Sequence, residues 1–315
     1  MIYLKEDHEI EAMRLAGGVS STVLREVAAF VHPGISTLEI DQYAGERISR
    51  YGGKSAFLGY RDYPSRICIS VNEEVVHGLA SGRCVQFGDI VSLDVGVRYN
   101  GYIGDNATTV AVGGCDPAVQ RMMEVTEKSL YEGVGQALPG NKIVDISRAI
   151  QSCVEANGYS IVREFVGHGV GKKVHEDPQI PNFDDGSRRS PVLKPGMTLA
   201  IEPMVNIGQR HVEMLEDGWS VVARDGLPSA HFEHTILDRR RAGDFDMPGQ
   251  PAIRVEGIVR DKRPPATFVV ELANGHRVFA RVLLKQREKM PGIKLGDRVN
   301  LEISPADFSN GVVVF

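Results

Sequence analysis

The strongest constraint on the fold is a pattern that occurs twice in the first 240 residues. Pro33-Gly34 precedes a segment with the capping signals of a helix, which is predicted to end near Gly52. Pro139-Gly140 precedes a second helical segment, which is predicted to end near Gly158. The offset is 106 residues at both the Pro-Gly pair and the closing glycine. Self-similarity at a fixed offset indicates a structural repeat.

A second pair of matching segments follows in the same order. Gly88-Asp-Ile-Val-Ser-Leu-Asp94 resembles Gly196-Met-Thr-Leu-Ala-Ile-Glu202, at an offset of 108 residues. In both segments a glycine turn leads into an apolar strand that is predicted to end at an acid. The sequence therefore predicts two copies of one α+β unit, each of which contributes a carboxylate to a shared centre.

The 315 residues are predicted to form two domains joined by a linker. Residues 241–251 combine Gly, Pro and charged residues without periodicity, as is typical of a linker. The predicted domains are therefore 1–240 and 252–315. The second contains five short alternating runs, which predict a small all-β barrel; they lie at 255–259, 267–272, 277–282, 298–303 and 312–315.

The two predicted domains differ in charge. Residues 252–315 contain 11 Lys and Arg against 7 Asp and Glu, whereas the rest of the chain contains 25 against 34. An acidic body joined to a basic tail suggests modules with different partners. Chance variation in composition is the alternative interpretation of this difference.

Several features predict a cytoplasmic protein without a membrane partner. No apolar run approaches the length of about 20 residues that spans a bilayer. The N-terminal segment mixes Lys5, Glu6, Asp7 and Glu9 with apolar residues, unlike a secretory signal. The four cysteines are scattered, which favours free thiols in a reducing compartment over a disulfide framework.

Five residues are candidates for chemistry: four acids on predicted strands and one histidine in a glycine-framed segment. An ionised carboxylate inside a strand is costly to bury without a partner, and few Lys or Arg residues lie nearby in the sequence. A divalent cation is the simplest compensation. Acid-rich sets of this kind suit two metal ions and a hydrolase, whereas each acid alone could cap a turn or end a strand. The candidates are Asp94, Asp105, His168, Glu202 and Glu233.

The segments that contain these residues resemble type I methionine aminopeptidase, in order and spacing, over residues 1–238. The resemblance implies the duplicated, pseudo-twofold pita-bread fold of an α+β enzyme. The long insertion of type II enzymes is missing between His175 and Glu202. The matching segments are Ile69-Ser-Val-Asn-Glu-Glu-Val-Val-His77-Gly, Gly88–Asp94, Gly101-Tyr-Ile-Gly-Asp105, Gly167-His168-Gly-Val-Gly, His175-Glu-Asp-Pro, Ile201-Glu202-Pro-Met and Glu233-His-Thr.

The resemblance also implies roles for the metal ligands. Asp94 is expected to bind one metal, Asp105 and Glu233 to bridge two, and His168 and Glu202 to complete the second. Manganese, iron, cobalt and zinc all suit this set. Glu202 is also expected to transfer protons during hydrolysis.

Further residues are expected to contact the substrate. His77 and His175 would contact the substrate and the tetrahedral intermediate, although either could be an ordinary turn or core histidine. A methionine pocket is expected from Tyr60, Tyr63, Cys68 and Trp219, unless these residues only fill the core. Asn72 and Ser229 are expected to help bind one monovalent cation.

The expected reaction is removal of the N-terminal methionine from nascent proteins whose second residue is small, by a monomeric enzyme. The sequence departs from the common family pattern at Val174, where several members have Phe, and at Val76 and His231. The smaller Val174 puts the tightness of the pocket in doubt.

The tail resembles bacterial translation initiation factor one, a five-stranded OB-fold barrel, over residues 254–315. The resemblance implies RNA contacts through Lys285, Arg287 and Lys289, although Glu288 replaces a basic residue in that loop. We expect binding of ribosomal or other RNA rather than action as an initiation factor. A basic barrel that binds no RNA is the alternative.

Two other functions compete with this interpretation. A proline-specific aminopeptidase or dipeptidase would use the same fold, but those enzymes usually have a large additional N-terminal domain. A catalytically inactive RNA-binding scaffold would lack metal ligands, whereas all five are present here.

Overall fold

The computed structural model describes residues 2–186, 190–237, 253–263, 267–272, 277–281, 292–304 and 307–314. The chain forms two compact units, Met1–Gly249 and Gln250–Phe315. The predicted linker 241–251 and the predicted RNA contacts Lys285, Arg287 and Lys289 lie outside the described residues. In the described part of the chain, no helix is long and apolar enough to cross a membrane.

The described residues of the first unit form four α-helices in two similar pairs. The helices are α1 (Asp7–Phe30), α2 (Thr37–Arg50), α3 (Pro117–Gln136) and α4 (Ile143–Ala156). The second helix of each pair has 14 residues, and its first turn accepts a backbone N–H at the N-cap. Ser36 N–H donates to Glu39 at 2.9 Å and Lys142 N–H donates to Asp145 at 2.8 Å. The helix pattern predicted from the sequence is thus present in both halves.

The strands of the first unit form one large sheet and two small ones. They are β1 (Lys54–Ser55), β2 (Cys68–Val71), β3 (Glu74–Val76), β4 (Ile90–Tyr99), β5 (Tyr102–Ala111), β6 (Ser160–Ile161), β7 (Gly167–Gly169), β8 (Glu176–Ile180), β9 (Thr198–Ile201), β10 (Met204–Asn206), β11 (Val212–Met214), β12 (Val221–Ala223), β13 (Ser229–His231) and β14 (Glu233–Leu237).

The large sheet shows the duplication directly. Its order is β1-β4-β5-β14-β9-β7-β8, with β2 also paired to β4. The central pair β5 and β14 is flanked by β4 on one side and β9 on the other, which are the two strands matched in the sequence. Gly88 and Gly196, which begin the matching segments, have φ of +100° and +90°. This is a left-handed conformation that suits glycine. These findings support the pita-bread fold.

Each half has its own hydrophobic core. In the first half, Val23, Ile40, Ile48, Ile69 and Leu93 are buried between α1, α2 and the sheet. In the second half, α3 and α4 bury a corresponding set against β9 and β14; it includes Leu130, Ile146, Ile150, Leu199 and Ile236. Both cores fix the strands that carry the candidate ligands.

The second unit is built from β15 (Ile253–Arg263), β16 (Thr267–Leu272), β17 (Arg277–Arg281), β18 (Arg298–Ser304) and β19 (Asp307–Val314). Their pairing closes in the order β15-β16-β17-β19-β18. Only the β17–β19 pair is parallel among these five strands. Phe268, Val270, Val278 and Leu301 contribute to its buried core. The last strand begins earlier than the sequence predicted.

Candidate metal centre and substrate cavity

The strand register places three of the predicted acids on one face of the large sheet. Asp94 on β4 and Glu233 on β14 both lie opposite Ala107 of β5, one from each side. Asp105 lies two residues before Ala107 on the same strand. Because directly paired residues and residues two apart share a face, Asp94, Asp105 and Glu233 lie together there.

Asp94 lies inside its strand rather than at its end, where the sequence pattern had placed it. The strand continues for five residues beyond the acid, to Tyr99, and turns at Asn100-Gly101. The expected end was wrong because it assumed that a strand would not continue past a buried charge. Neighbouring strands contribute further acids at the same place, and a bound cation would offset the cost of burying them together.

Glu202 and His168 reach the same face from the second half. His168 lies opposite Ala200, and Glu202 follows two residues after Ala200. His168 Nε2 is 3.4 Å from Glu202 Oε1. His168 Nδ1 is 2.9 Å from the carbonyl oxygen of Gly169, a geometry in which Nδ1–H donates and Nε2 is available as a ligand. Ligand atoms of Asp105, His168 and Glu233 all lie within 4.8 Å of one another.

The electrostatics of the cluster favour a bound cation. Burial is the largest cause that raises the pKa of each of the four acids, and Asp105 reaches about 7. Charge repulsion within the cluster raises the pKa of Asp94, Glu202 and Glu233 further. Burial also lowers the pKa of His168 to about 4, so its imidazole is neutral at pH 7.

Unpaired buried atoms provide the test of fit for a metal. Asp94 Oδ1, Asp105 Oδ1 and Glu233 Oε1 are buried without a hydrogen-bond partner among the described residues. A buried oxygen of this kind is costly unless it is paired or coordinates a cation. The donor set of four carboxylates and one neutral imidazole therefore fits divalent metal ions, as the sequence predicted.

The acids line one end of a cavity of about 260 Å³. Every residue that the sequence assigned to the metals or the methionine pocket lines this cavity. The pocket residues are Tyr60, Tyr63, Cys68 and Trp219, together with His77, His175 and Val174. Cys68 is placed there by its register opposite Asp94. Tyr63 packs edge-on against Trp219, with ring centroids 5.0 Å apart.

The two predicted catalytic histidines have defined surroundings. His77 has φ of +61° and packs edge-on against Phe165 and Trp219. His175 Nδ1 is 2.9 Å from the Tyr60 hydroxyl, and its ring centroid is 4.3 Å from that of His168. Burial, followed by the influence of His175, lowers the pKa of His77 to about 4. Burial, followed by the charge of Arg61, lowers the pKa of His175.

Sequence reasoning missed several cavity residues. Phe57, Arg61, Phe165 and Val166 also line the cavity. Phe57 lies where Gly96 has no side chain, since a Cβ there would meet its ring at 2.4 Å. Gly96 pairs with Asp105, so a glycine opposite a predicted ligand was the available signal. Phe165 and Val166 reach the cavity only through tertiary packing, so no local sequence pattern indicated them.

His231 was noted as a departure from the family pattern, but no site role was predicted for it. It is 2% exposed, and its Nε2 is 3.9 Å from Glu202 Oε2 and 4.0 Å from Glu233 Oε2. Burial, followed by the influence of His77, lowers its pKa to about 3. It is therefore a neutral side chain beside two candidate ligands.

The predicted monovalent-cation residues lie next to each other. Ser229 N–H donates to the Asn72 carbonyl oxygen at 2.9 Å. The Asn72 side chain donates to Asp89 at 2.9 Å and accepts from Ile90 N–H at 3.0 Å. These hydrogen bonds use the Asn72 amide within the protein.

Residues 11–238 match the model of metallopeptidase family M24. The chain is 49% identical to methionine aminopeptidase 1 of Bacillus subtilis over 236 residues, which is 75% of this chain and 95% of that one. It superposes on methionine aminopeptidase from Thermotoga maritima with a TM-score of 0.75 and 43% identity, over 78% of this chain and 98% of that one.

The buried acids, the neutral imidazole and these matches define a metallopeptidase of family M24. Within that family, the chain belongs to the methionine aminopeptidases. The prolidase of Pyrococcus furiosus shares the fold, with a TM-score of 0.62 and 22% identity, over 77% of this chain and 64% of that one. That likeness concerns the fold alone.

Proposed function

We propose that the first unit removes N-terminal methionine from nascent polypeptides whose second residue is small, and that it binds two divalent metal ions to do so. The observation that carries this proposal is the meeting of four carboxylates, two of them buried, and one buried imidazole in a partly aromatic cavity. Four carboxylates exceed the needs of one structural ion and suit a two-metal hydrolase.

The expected role of each site residue depends on its position in the cavity. Asp94, Asp105, His168, Glu202 and Glu233 would hold the ions, which when bound compensate the carboxylate charges and act as Lewis acids toward water and the peptide carbonyl. Glu202 lies beside His168 and His231 and would carry a proton toward the leaving amine. His77 and His175 would contact the substrate carbonyl.

The other end of the cavity would accept the methionine side chain. Tyr63, Cys68 and Trp219 supply an apolar wall, and thioethers make favourable contacts with aromatic edges. His77 and Phe165 pack edge-on at the cavity, and a small second residue of the substrate would fit best beside these rings. Asn72 and Ser229 remain a proposal as a monovalent-cation site.

Peptide hydrolysis with metal analysis tests the function. We expect release of methionine from Met-Ala-Ser, little release from Met-Leu-Ser and none from Ala-Pro-Ser. The chain should bind two ions of manganese, iron, cobalt or zinc. Glu233→Ala should abolish turnover, and preference for Ala-Pro-Ser would instead favour a proline-specific enzyme.

We also propose that the second unit is an OB-fold that binds ribosomal or other RNA. Its closed strand order, with the third strand parallel to the fifth, supports this assignment. The excess of 11 basic over 7 acidic residues in 252–315 supports the RNA role. RNA binding by the full chain at graded salt should weaken with salt. Replacing Lys285, Arg287 and Lys289 with Ala should reduce that dependence.

A further inference from the structure

The segment before α1 contacts the loop that carries His175 through buried polar groups. The Lys5 side chain is 2% exposed, and its Nζ lies 2.7 Å from Glu176 Oε2. Glu176 Oε1 accepts hydrogen bonds from the backbone N–H groups of Lys172 and Lys173, at 2.9 and 3.2 Å. One carboxylate thus joins the N-terminal segment to the turn that precedes His175.

A second carboxylate joins the same two parts of the chain. Glu9 is 2% exposed, and its Oε1 accepts from Lys172 Nζ at 3.0 Å and from the Tyr102 hydroxyl at 2.9 Å. Its Oε2 accepts from the Tyr3 hydroxyl at 2.8 Å and from Glu6 N–H at 3.1 Å. One carboxylate oxygen of Glu9 thus contacts Lys172, and the other contacts the N-terminal segment.

Glycines make room for both contacts. Lys5 N–H donates to the Gly196 carbonyl oxygen at 2.7 Å, and a Cβ on Gly196 would lie 2.9 Å from the Lys5 carbonyl oxygen. Gly88, the equivalent turn residue of the first half, faces open space. A Cβ on Gly171 would lie 2.6 Å from Glu176 Oε1. Of the two equivalent glycine turns, the segment thus contacts the one at Gly196, which lies in the half that contains His175.

His175 lies between the turn capped by Glu176 and the start of β8. Its Nδ1 contacts the Tyr60 hydroxyl, and its ring lies beside that of His168 at the cavity wall. Because Glu176 is the next residue, its contacts with Lys5 and with the backbone N–H groups of Lys172 and Lys173 restrain the chain on both sides of His175. A misplacement of about 1 Å in a catalytic group can cost about 100-fold in rate.

We propose that residues 3–9 form a positioning strap that fixes His175 for catalysis, with Lys5 and Glu9 as its positioning residues. A buried ion pair is often no more stabilising than apolar residues of the same size. An ion pair does, however, fix the relative position of two charged groups, which an apolar contact does not do. The strap rests on the proposed aminopeptidase function, because His175 is given its role there.

A double-mutant cycle tests the strap. Lys5→Met should lower kcat on Met-Ala-Ser about 10- to 100-fold, with a change in KM below about 2-fold and two metal ions still bound. In a His175→Ala background, the same substitution should lower kcat less than about 2-fold. Lys5→Arg should restore most of the activity. Arg148→Met, which removes the exposed ion pair with Asp184, is the matched control and should leave kcat unchanged.

The outcomes distinguish a positioning role of Lys5 from a general role in the fold. Equal losses from Lys5→Met with and without His175 would show that Lys5 supports the fold generally, and would overturn the proposal. If Lys5→Met does not fold, Tyr102→Phe removes one hydrogen bond to Glu9 and should show the same dependence on His175. The wild-type rate tests the proposed function, whereas the ratio of the two Lys5 effects tests the strap.

Discussion

The buried acids should make the metal-free protein less stable than a variant that lacks one of them. Asp105→Asn keeps the shape of the side chain and removes one ionisable group from the cluster. Burial raises the pKa of Asp105 from 3.8 to about 7. A raised pKa contributes stability below pH 3.8, and that stability is lost as the pH rises to about 7.

The size of the effect follows from the pKa. The difference between 3.8 and about 7 corresponds to about 4 kcal/mol at pH 8, at about 1.4 kcal/mol per pH unit. At pH 5 the corresponding loss is about 2 kcal/mol. We therefore expect metal-free Asp105→Asn to exceed the wild type in unfolding free energy by up to about 4 kcal/mol at pH 8 and about 2 kcal/mol at pH 5.

Metal should narrow the difference between the two proteins at pH 8. A ligand at 100 times its dissociation constant stabilises the folded state by about 3 kcal/mol, and Asn is a poorer ligand than a carboxylate. Urea unfolding followed by the fluorescence of Trp219, the one tryptophan of the chain, reports on the first unit. Equal or lower stability of metal-free Asp105→Asn at pH 8 would refute the reasoning. The control Asp41→Asn removes a buried acid already paired with Arg66 and should destabilise the protein with and without metal.

Two further predictions concern the cavity. Val174→Phe should narrow the pocket and raise the ratio of kcat/KM for Met-Ala-Ser over Phe-Ala-Ser at least about 10-fold; an unchanged ratio would show that Val174 does not set the pocket's size. Arg61 has φ of +50°, a left-handed conformation that costs about 1–2 kcal/mol for a residue with a Cβ. Arg61→Gly should raise the unfolding free energy by about 0.5–1 kcal/mol in urea titration. A decrease would show that the Arg61 side chain stabilises the cavity wall.

Some features could be predicted from the sequence because they depend on local signals. The two helix starts, with acids at 39 and 145, depend on capping within four residues, and both form as expected. The strand leading to Asp94 was recognised by its apolar run. Its continuation to Tyr99 was missed because Asp94 interrupts the apolar run, whereas pairing with β5 extends the strand past it.

The N-terminal segment shows the opposite limit. Lys5 and Glu9 were interpreted only as charges that exclude a secretory signal, yet both are among the most buried charged residues of the described chain. Their partners, Glu176 and Lys172, lie more than 160 residues away along the chain. The sequence around Lys5 and Glu9 therefore did not indicate that these side chains are buried. Their burial depends on the packing of one half of the first unit against the other.

The register of the central strands explains why the duplication produces a site at all. Asp94, Ala107 and Glu233 lie in one row across three strands, so the small Ala107 leaves the space between the two acids open. A slip of one residue in either pairing would turn a carboxylate to the opposite face of the sheet. In the first half, Asp94 lies in this row and Asp105 lies beside it. In the second half, Glu233 lies in the row and Glu202 lies beside it. Neither half alone contains enough donors for two ions. The proposed metal centre therefore depends on the pairing of β5 with β14, where the two halves meet.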